Sequence, residues 1–294
     1  MAKFQKQLQA NKKFKMTDYP TEIPEIDTDS AKKELKKIRK ELAKIQDILY
    51  AHNRYSVLVC LQGMDTSGKD SLVREVFKDF NARGVVVQSF KTPTSLELAH
   101  DYLWRHYITL PEHGKFTVFN RTHYENVLVT RVNPKFILNE NLPKIKDVKD
   151  IPKDFWRRRY KQINNFEKHL HENGTIVLKF YLHLSKNEQK NRLLRRLENA
   201  DKNWKFSEDD LTARRRWQDY MDCYEDTIRQ TSTAKIPWYI IPADNKSASR
   251  YLVAQIIFEE LKKYKDIKYP DLPVDIEEHK SKYKKELLNE KSTL

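Results

Sequence analysis

Apolar residues recur along this chain with two spacings. Short runs rich in Val, Ile, Leu and aromatic residues, at 55–61, 85–90, 116–119, 175–181 and 238–241, predict five buried strands. Between and after them, at about 69–82, 95–108, 122–130, 154–172, 186–198, 208–231 and 247–264, apolar positions fall three or four apart, the spacing of one helical face. A further helix is predicted from Asp29, with Leu35, Ile38, Leu42, Ile45, Ile48 and Leu49 on one side and its Lys and Arg as a solvated face. Strands alternating with helices predict a mostly parallel sheet covered on both faces, an α/β fold in three layers, α/β/α.

Residues 1–28 lack stable periodicity and read as an arm that wraps the domain or a neighbouring subunit. One domain is expected at 29–265 and a C-terminal extension at 266–294, with 133–152, rich in Lys, Pro and Asn, as a surface insertion. The 294 residues include 13 Phe, 15 Tyr and 5 Trp, which is far more aromatic anchorage than a disordered chain carries.

Charge narrows the partners. The formal net charge of +14 favours a polyanion such as nucleic acid, an anionic membrane or polyphosphate, although a Lys-rich surface serving solubility accounts for it equally well. Cys60 and Cys223 have no metal-ligand spacing and fit a reducing compartment, and the longest apolar run, at 57–61, is far too short to span a bilayer. A cytoplasmic protein without a membrane partner is expected.

Only 5 glycines occur, yet Gly63 and Gly68 stand together after the first predicted strand and before a helix. The run Gly63, Met64, Asp65, Thr66, Ser67, Gly68, Lys69 fits G-x-x-x-x-G-K, in which backbone N–H groups and a helix N-terminus cradle phosphates and the lysine reaches the transferred group. Asp70 stands where nucleoside-triphosphate hydrolases of this kind carry the Ser or Thr that holds Mg²⁺. Asp65 is then the nearest candidate oxygen ligand, with Asp70 left to cap the helix.

The residues LQGMDTSGKDSLV, with the loop form G-x-D-x-x-G-K-D, resemble the polyphosphate kinase 2 family. The likeness continues through FNRTHYENVLVTRV at 119–132, KNRLLRRLENADKNWKFSEDD at 190–210, RWQDYMDCYEDTIRQTST at 216–233 and PWYIIPADNKSASR at 237–250, covering roughly residues 30–265. The resemblance implies a P-loop kinase fold and reversible phosphoryl transfer between inorganic polyphosphate and nucleotides, adenine nucleotides first, with the preference between adenine and guanine left open. It implies Mg²⁺ as cofactor, with Mn²⁺ as a substitute, a homo-oligomer and no nucleic-acid partner.

The block Asn120, Arg121, Thr122, His123, Tyr124, Glu125 looks like the branch that accepts both AMP and ADP. Many relatives begin this block with Asp, which helps to hold Mg²⁺; Asn120 offers only a neutral oxygen, so metal charge falls more heavily on Asp65. Asp65, Lys69, Arg121 and Arg196 are the expected catalytic residues. Gly63, Met64, Thr66, Ser67, Gly68, Asp70, Asn120, Tyr124 and Glu125 are expected to contact phosphate or nucleotide, and Asp65 with Asn120 the metal. His123 is read as packing or substrate positioning, because a phosphate acceptor is already anionic and needs no general base.

Arg121 follows a strand end, where its planar fork suits a phosphate, with a structural ion pair as the alternative. The lid-like stretch at 190–210 carries Arg192, Arg195, Arg196, Lys202 and Lys205, which suit a phosphate chain or form an ordinary basic helix. Lys246 and Arg250 share a helical face and could line a polymer groove with Lys69, or be solvated. Two rivals stand beside this reading: an ATP-dependent nucleotide kinase of the thymidylate-kinase type, and a nucleic-acid-binding P-loop ATPase.

Overall fold

The computed structural model describes residues 6–290. Helix α1 (Thr28–His52) starts where Asp27 accepts from the N–H groups of Asp29 and Ser30, and it stops at Asn53, whose left-handed backbone ends the helix. Strand β1 (Ser56–Gln62) runs directly into the glycine loop and α2 (Lys69–Val76). Then come β2 (Val85–Ser89), β3 (Phe116–Asn120), α3 (Phe155–Glu172) and β4 (Thr175–His183). The chain continues through α4 (Lys186–Glu198), α5 (Glu208–Arg215), α6 (Trp217–Thr231), β5 (Trp238–Pro242), α7 (Lys246–Leu261) and α8 (Val274–Asn289).

All five predicted strands form, each pairing parallel with its neighbours in the order β2-β3-β1-β4-β5. β1 lies at the centre and is buried along its whole length. Its side chains alternate: Val57, Val59 and Leu61 join the core under α1, α2 and α7, while Leu58 and Cys60 pack with Phe166 and Leu170 of α3. The successive strands β3 and β4 lie on opposite sides of β1, so the loop leaving β1 opens into the crevice where α/β sheets gather ligands.

Several helices are shorter than their periodicity predicts. The stretch 95–108 becomes two single turns, Ser95–Leu98 and Trp104–Tyr107, because the Asp101 carboxylate accepts from Leu103 N–H and substitutes a local turn for the helix. The stretch 208–231 breaks at Arg216, which separates α5 from α6. Residues 122–130 are mostly a 3₁₀ turn, His123–Asn126, followed by the four-residue helix Val129–Val132. The segment 133–152 packs down: Ile137 is buried and Glu140 pairs with Arg159.

The described part of the N-terminal arm covers the β5 edge of the sheet. Gln9 bridges antiparallel to Tyr239, Ala10 N–H donates to Trp238 O at 2.8 Å, and Phe14 and Met16 are buried. Residues 1–5 of the expected arm lie outside the described residues.

Candidate active site

The loop between β1 and α2 is an anion cradle built from strained backbone. Gly63 has φ +152°, and a Cβ there would stand 2.9 Å from Ser67 Oγ and 3.0 Å from Leu182 O, so no larger residue fits. Thr66 (φ 64°) and Arg121 (φ 61°) occupy the left-handed region without being glycine, which costs about 1–3 kcal/mol each. Ser67 is buried, its N–H held by Met64 O at 3.0 Å, while the hydroxyls of Thr66 and Ser67 are buried without a partner. Lys69 folds back across the cradle, donating to Gly63 O at 2.7 Å and Met64 O at 3.3 Å. Burial pushes the Lys69 ammonium down from its ordinary range, and the Asp65 carboxylate opposes that shift.

The mouth of the cradle is lined by paired charges. Arg121 Nη2 donates to Asp65 Oδ1 at 2.8 Å, across a gap of fifty-six residues in sequence. Burial works against the Arg121 charge, but the Glu125 and Asp65 carboxylates outweigh it and raise the guanidinium above its ordinary range. Asn120, at the end of β3, donates from Nδ2 to Asp70 Oδ1 at 2.6 Å and leaves Oδ1 buried and unpartnered. Asp70 therefore does not cap α2; Gly68 holds the cap position, without a side-chain bond, and Asp70 instead accepts from Asn120. Glu125 accepts from Gln62 Nε2 at 3.0 Å and acts, with Asp65 and Asp70, on the Lys69 charge.

Behind this mouth lies a second polar cluster that is closed to solvent. Lys179 of β4 donates to Glu167 Oε2 at 2.6 Å, to Tyr124 OH at 3.0 Å and to Thr231 O at 2.8 Å. Tyr124 OH donates to Glu167 Oε1 at 2.5 Å, and His123 Nε2 lies 3.1 Å from the same oxygen. Tyr124 is fully buried with its hydroxyl engaged, so it cannot meet a nucleotide as the sequence pattern suggested. It anchors the turn that carries Arg121 and Glu125, and His123 is packing in the same cluster.

The basic residues after β4 divide by burial. Arg192, expected on the polymer, is buried and fully used: Nε donates to Glu188 at 2.8 Å, Nη1 to Thr66 O and Ser67 O at 3.0 Å each, and Nη2 to Ala243 O at 2.5 Å and Asp244 O at 2.9 Å. With every N–H committed it props the cradle from behind and has none left for a phosphate. Arg195 is exposed and pairs with Glu188 at 2.6 Å. Arg196 donates to Asp210 at 2.9 Å and to Lys205 O at 3.1 Å, closing the turn between α4 and α5. Asp210 in turn lies within electrostatic reach of Asp65 and Arg121, which puts the turn on the cradle's side of the molecule. Lys202 and Lys246 are exposed, and Arg250 is half-buried. Partial burial, then crowding by Arg192, Arg195, Arg250 and Lys202, pushes the Lys246 ammonium down to about 8.

Known proteins resemble the chain over most of its length. The family model described as polyphosphate kinase 2 matches residues 25–269. The chain belongs to the polyphosphate kinase 2 family. It is 46% identical over 230 residues to an ADP-polyphosphate phosphotransferase of Rhodopseudomonas palustris, covering 78% of each chain. It is also 46% identical over 224 residues to an AMP/ADP-polyphosphate phosphotransferase of Meiothermus ruber, covering 76% of this chain and 78% of the relative. The crystal structure of polyphosphate kinase 2 from Arthrobacter aurescens TC1 superposes with a TM-score of 0.85 at 33% identity, covering 95% of each chain.

In this polyphosphate kinase 2 chain, several supporting residues carried no readable sequence signal. Gln62 holds Glu125, and Gln189 donates to Asp65 O at 3.2 Å while its own oxygen accepts from Arg214 at 3.0 Å. The three consecutive arginines point apart as helix geometry demands: Arg214 to Lys186 O and Gln189, Arg215 to Thr212, Arg216 to Val132 O and Asn133. Among the described residues no helix is long and apolar enough to cross a membrane.

Proposed function

We propose that this chain transfers a phosphoryl group between inorganic polyphosphate and adenine nucleotides, taking AMP to ADP and ADP to ATP. The observation that carries the reading is the cradle of 63–69 with Lys69 inside it and Arg121 at its mouth, in a chain whose relatives bear phosphotransferase names. Both acceptors are proposed because the block 120–125 resembles the double-acceptor branch and the Meiothermus ruber relative is named an AMP/ADP-polyphosphate phosphotransferase.

The chemistry needs positioning and charge neutralisation more than proton transfer, because the attacking phosphate oxygen is already anionic. Lys69, drawn off its two loop carbonyls by an incoming phosphate, neutralises charge on the transferred group. Arg121 exchanges Asp65 for a phosphate, and its fork holds the acceptor or donor in line. Arg196 reaches the mouth when the turn between α4 and α5 closes, and the closed turn excludes water.

A divalent cation fits this donor set. Among the described residues no three acidic, His or Cys side chains gather as a metal cluster. Asp65, once released by Arg121, and the unpartnered Asn120 Oδ1 offer two hard oxygens, which suits Mg²⁺, an ion that keeps waters and takes its remaining ligands from phosphates. Bound there, the cation would screen charge between the two phosphates.

The test is incubation of the protein with Mg²⁺, long-chain polyphosphate and either AMP or ADP, with chromatography of the nucleotides and a control lacking polyphosphate. ATP from both acceptors is expected. ATP from ADP alone would discard the double-acceptor reading, and no product from either would discard the polyphosphate donor.

A further inference from the structure

A second basic site lies away from the cradle, at the seam where α7 packs on α1 and α2. A cavity of about 210 Å³ there is lined by Lys32, Lys36, Arg39, Glu75, Lys78 and Arg250, among others. Its acids are already taken: Glu75 pairs with Arg74 at 3.1 Å and Arg39 at 3.6 Å, and Asp79 pairs with Arg39 at 3.3 Å. Lys36, Lys78 and Arg250 have no carboxylate within ion-pair distance among the described residues, and Arg250 Nε is buried without an acceptor. On the outer face of α1 the pattern differs, since Lys37 pairs with Glu34 at 2.7 Å and Lys44 with Glu41 at 2.8 Å. Lys32, also in the lining, pairs with Asp29 at 3.0 Å, whereas Lys36 has no such acid one turn away.

Two cations of α7 stand between the seam and the surroundings of the cradle. Arg250 stands four residues after Lys246, about 6 Å along α7. Lys246 in turn shares its electrostatic surroundings with Arg192, which holds the cradle, and with Arg195 and Lys202. A row of cations thus leads from the loop, past the start of α7, into the cavity.

We propose that the α1/α2/α7 seam binds the distal phosphates of the polyphosphate chain whose reacting end lies at Lys69, with Lys36, Lys78 and Arg250 as its anchors. The proposal rests on the polyphosphate reading of the cradle. A short polyphosphate occupies the cradle alone, whereas a long one occupies both, so the seam sets a preference for chain length. Lys36→Ala with Lys78→Ala removes two anchors at exposed positions that pack against nothing essential to the fold.

The experiment measures KM for long-chain polyphosphate and for tripolyphosphate, with ADP as acceptor, in the unaltered protein, the double alanine variant and the Lys36→Arg, Lys78→Arg variant. Direct binding of both polymers, and of duplex DNA, is measured alongside. Two exposed charge contacts predict a rise of roughly three- to tenfold in KM and Kd for the long polymer. The tripolyphosphate constants and kcat are expected to change less than twofold, with the arginine variant restoring the long-polymer constants. Equal losses for both polymers, no loss, or a loss confined to DNA would overturn the proposal. If the unaltered protein bound polyphosphate but transferred nothing, the functional reading would fail, while the binding series would still decide the role of the seam.

Discussion

Arg121 and Asp65 form an ion pair at 2.8 Å between two pieces of backbone under strain: Arg121 itself has φ 61°, and Thr66, next to Asp65, has φ 64°. The pair joins the end of β3 to the loop after β1. Each partner is only partly buried, so the pair is available for exchange with substrate. Removing one partner without the other therefore tests whether the pair serves chemistry or folding.

Asp65→Ala and Lys69→Ala are each expected to lower transfer by about a hundredfold or more, because Lys69 neutralises the transferred phosphate and Asp65 holds the cation that screens it. Unfolding temperature should change little for Asp65→Ala, whose carboxylate is partly exposed. Steady-state kinetics at saturating and limiting Mg²⁺, with thermal unfolding in parallel, check this. Full Mg²⁺-dependent activity in Asp65→Ala would show that the cation is held elsewhere.

Arg192→Ala is expected to destabilise the fold by about 2–4 kcal/mol, since it leaves four carbonyls without their donor behind the cradle and takes from Glu188 one of its two arginines. Transfer should fall with both polyphosphate and nucleotide, because the whole cradle loses its support. A variant of normal stability that lost polyphosphate affinity alone would instead make Arg192 a direct ligand.

Asn120→Asp brings a carboxylate to within 2.6 Å of Asp70, where an N–H donor now sits. Like charges at that distance repel, and a divalent cation relieves them. Without Mg²⁺ the variant is expected to unfold at a lower temperature than the unaltered protein, and added Mg²⁺ should restore most of the difference. Melting curves across a Mg²⁺ titration read this directly; identical curves for both proteins would remove Asn120 from the cation site.

Lys246 supplies a pH dependence. Burial and the neighbouring cations push its ammonium down to about 8, so affinity for polyphosphate should weaken as pH rises through 8. Bound polyanion holds the proton and moves that titration upward. In stability the sign is opposite: because the folded value lies below the ordinary 10.5, the unfolded chain binds the extra proton between these values, and stability rises with pH across that window. Lys246→Arg should flatten the rise of polyphosphate KM between pH 7 and 9.

What the sequence determined by itself was local: the five strands, whose β-rich runs needed no partner to be read, and the cradle, whose glycines and lysine follow one another in seven residues. Lys69 was legible because phosphate binding by a loop demands glycines and a lysine in that order, and Asp65 was expected as the nearest carboxylate, in the loop form G-x-D-x-x-G-K-D. Tertiary structure alone decided which cations face outward, because helical spacing places Arg192, Arg195 and Arg196 on neighbouring faces without saying which face meets the cradle. It also decided that Tyr124 is internal, since only the packing of α3 and β4 brings Glu167 and Lys179 to its hydroxyl. The seam of α1, α2 and α7 was invisible for the same reason: Lys36 and Arg250 lie in two helices and Lys78 in the turn after a third, far apart in sequence, and the sheet beneath brings them together.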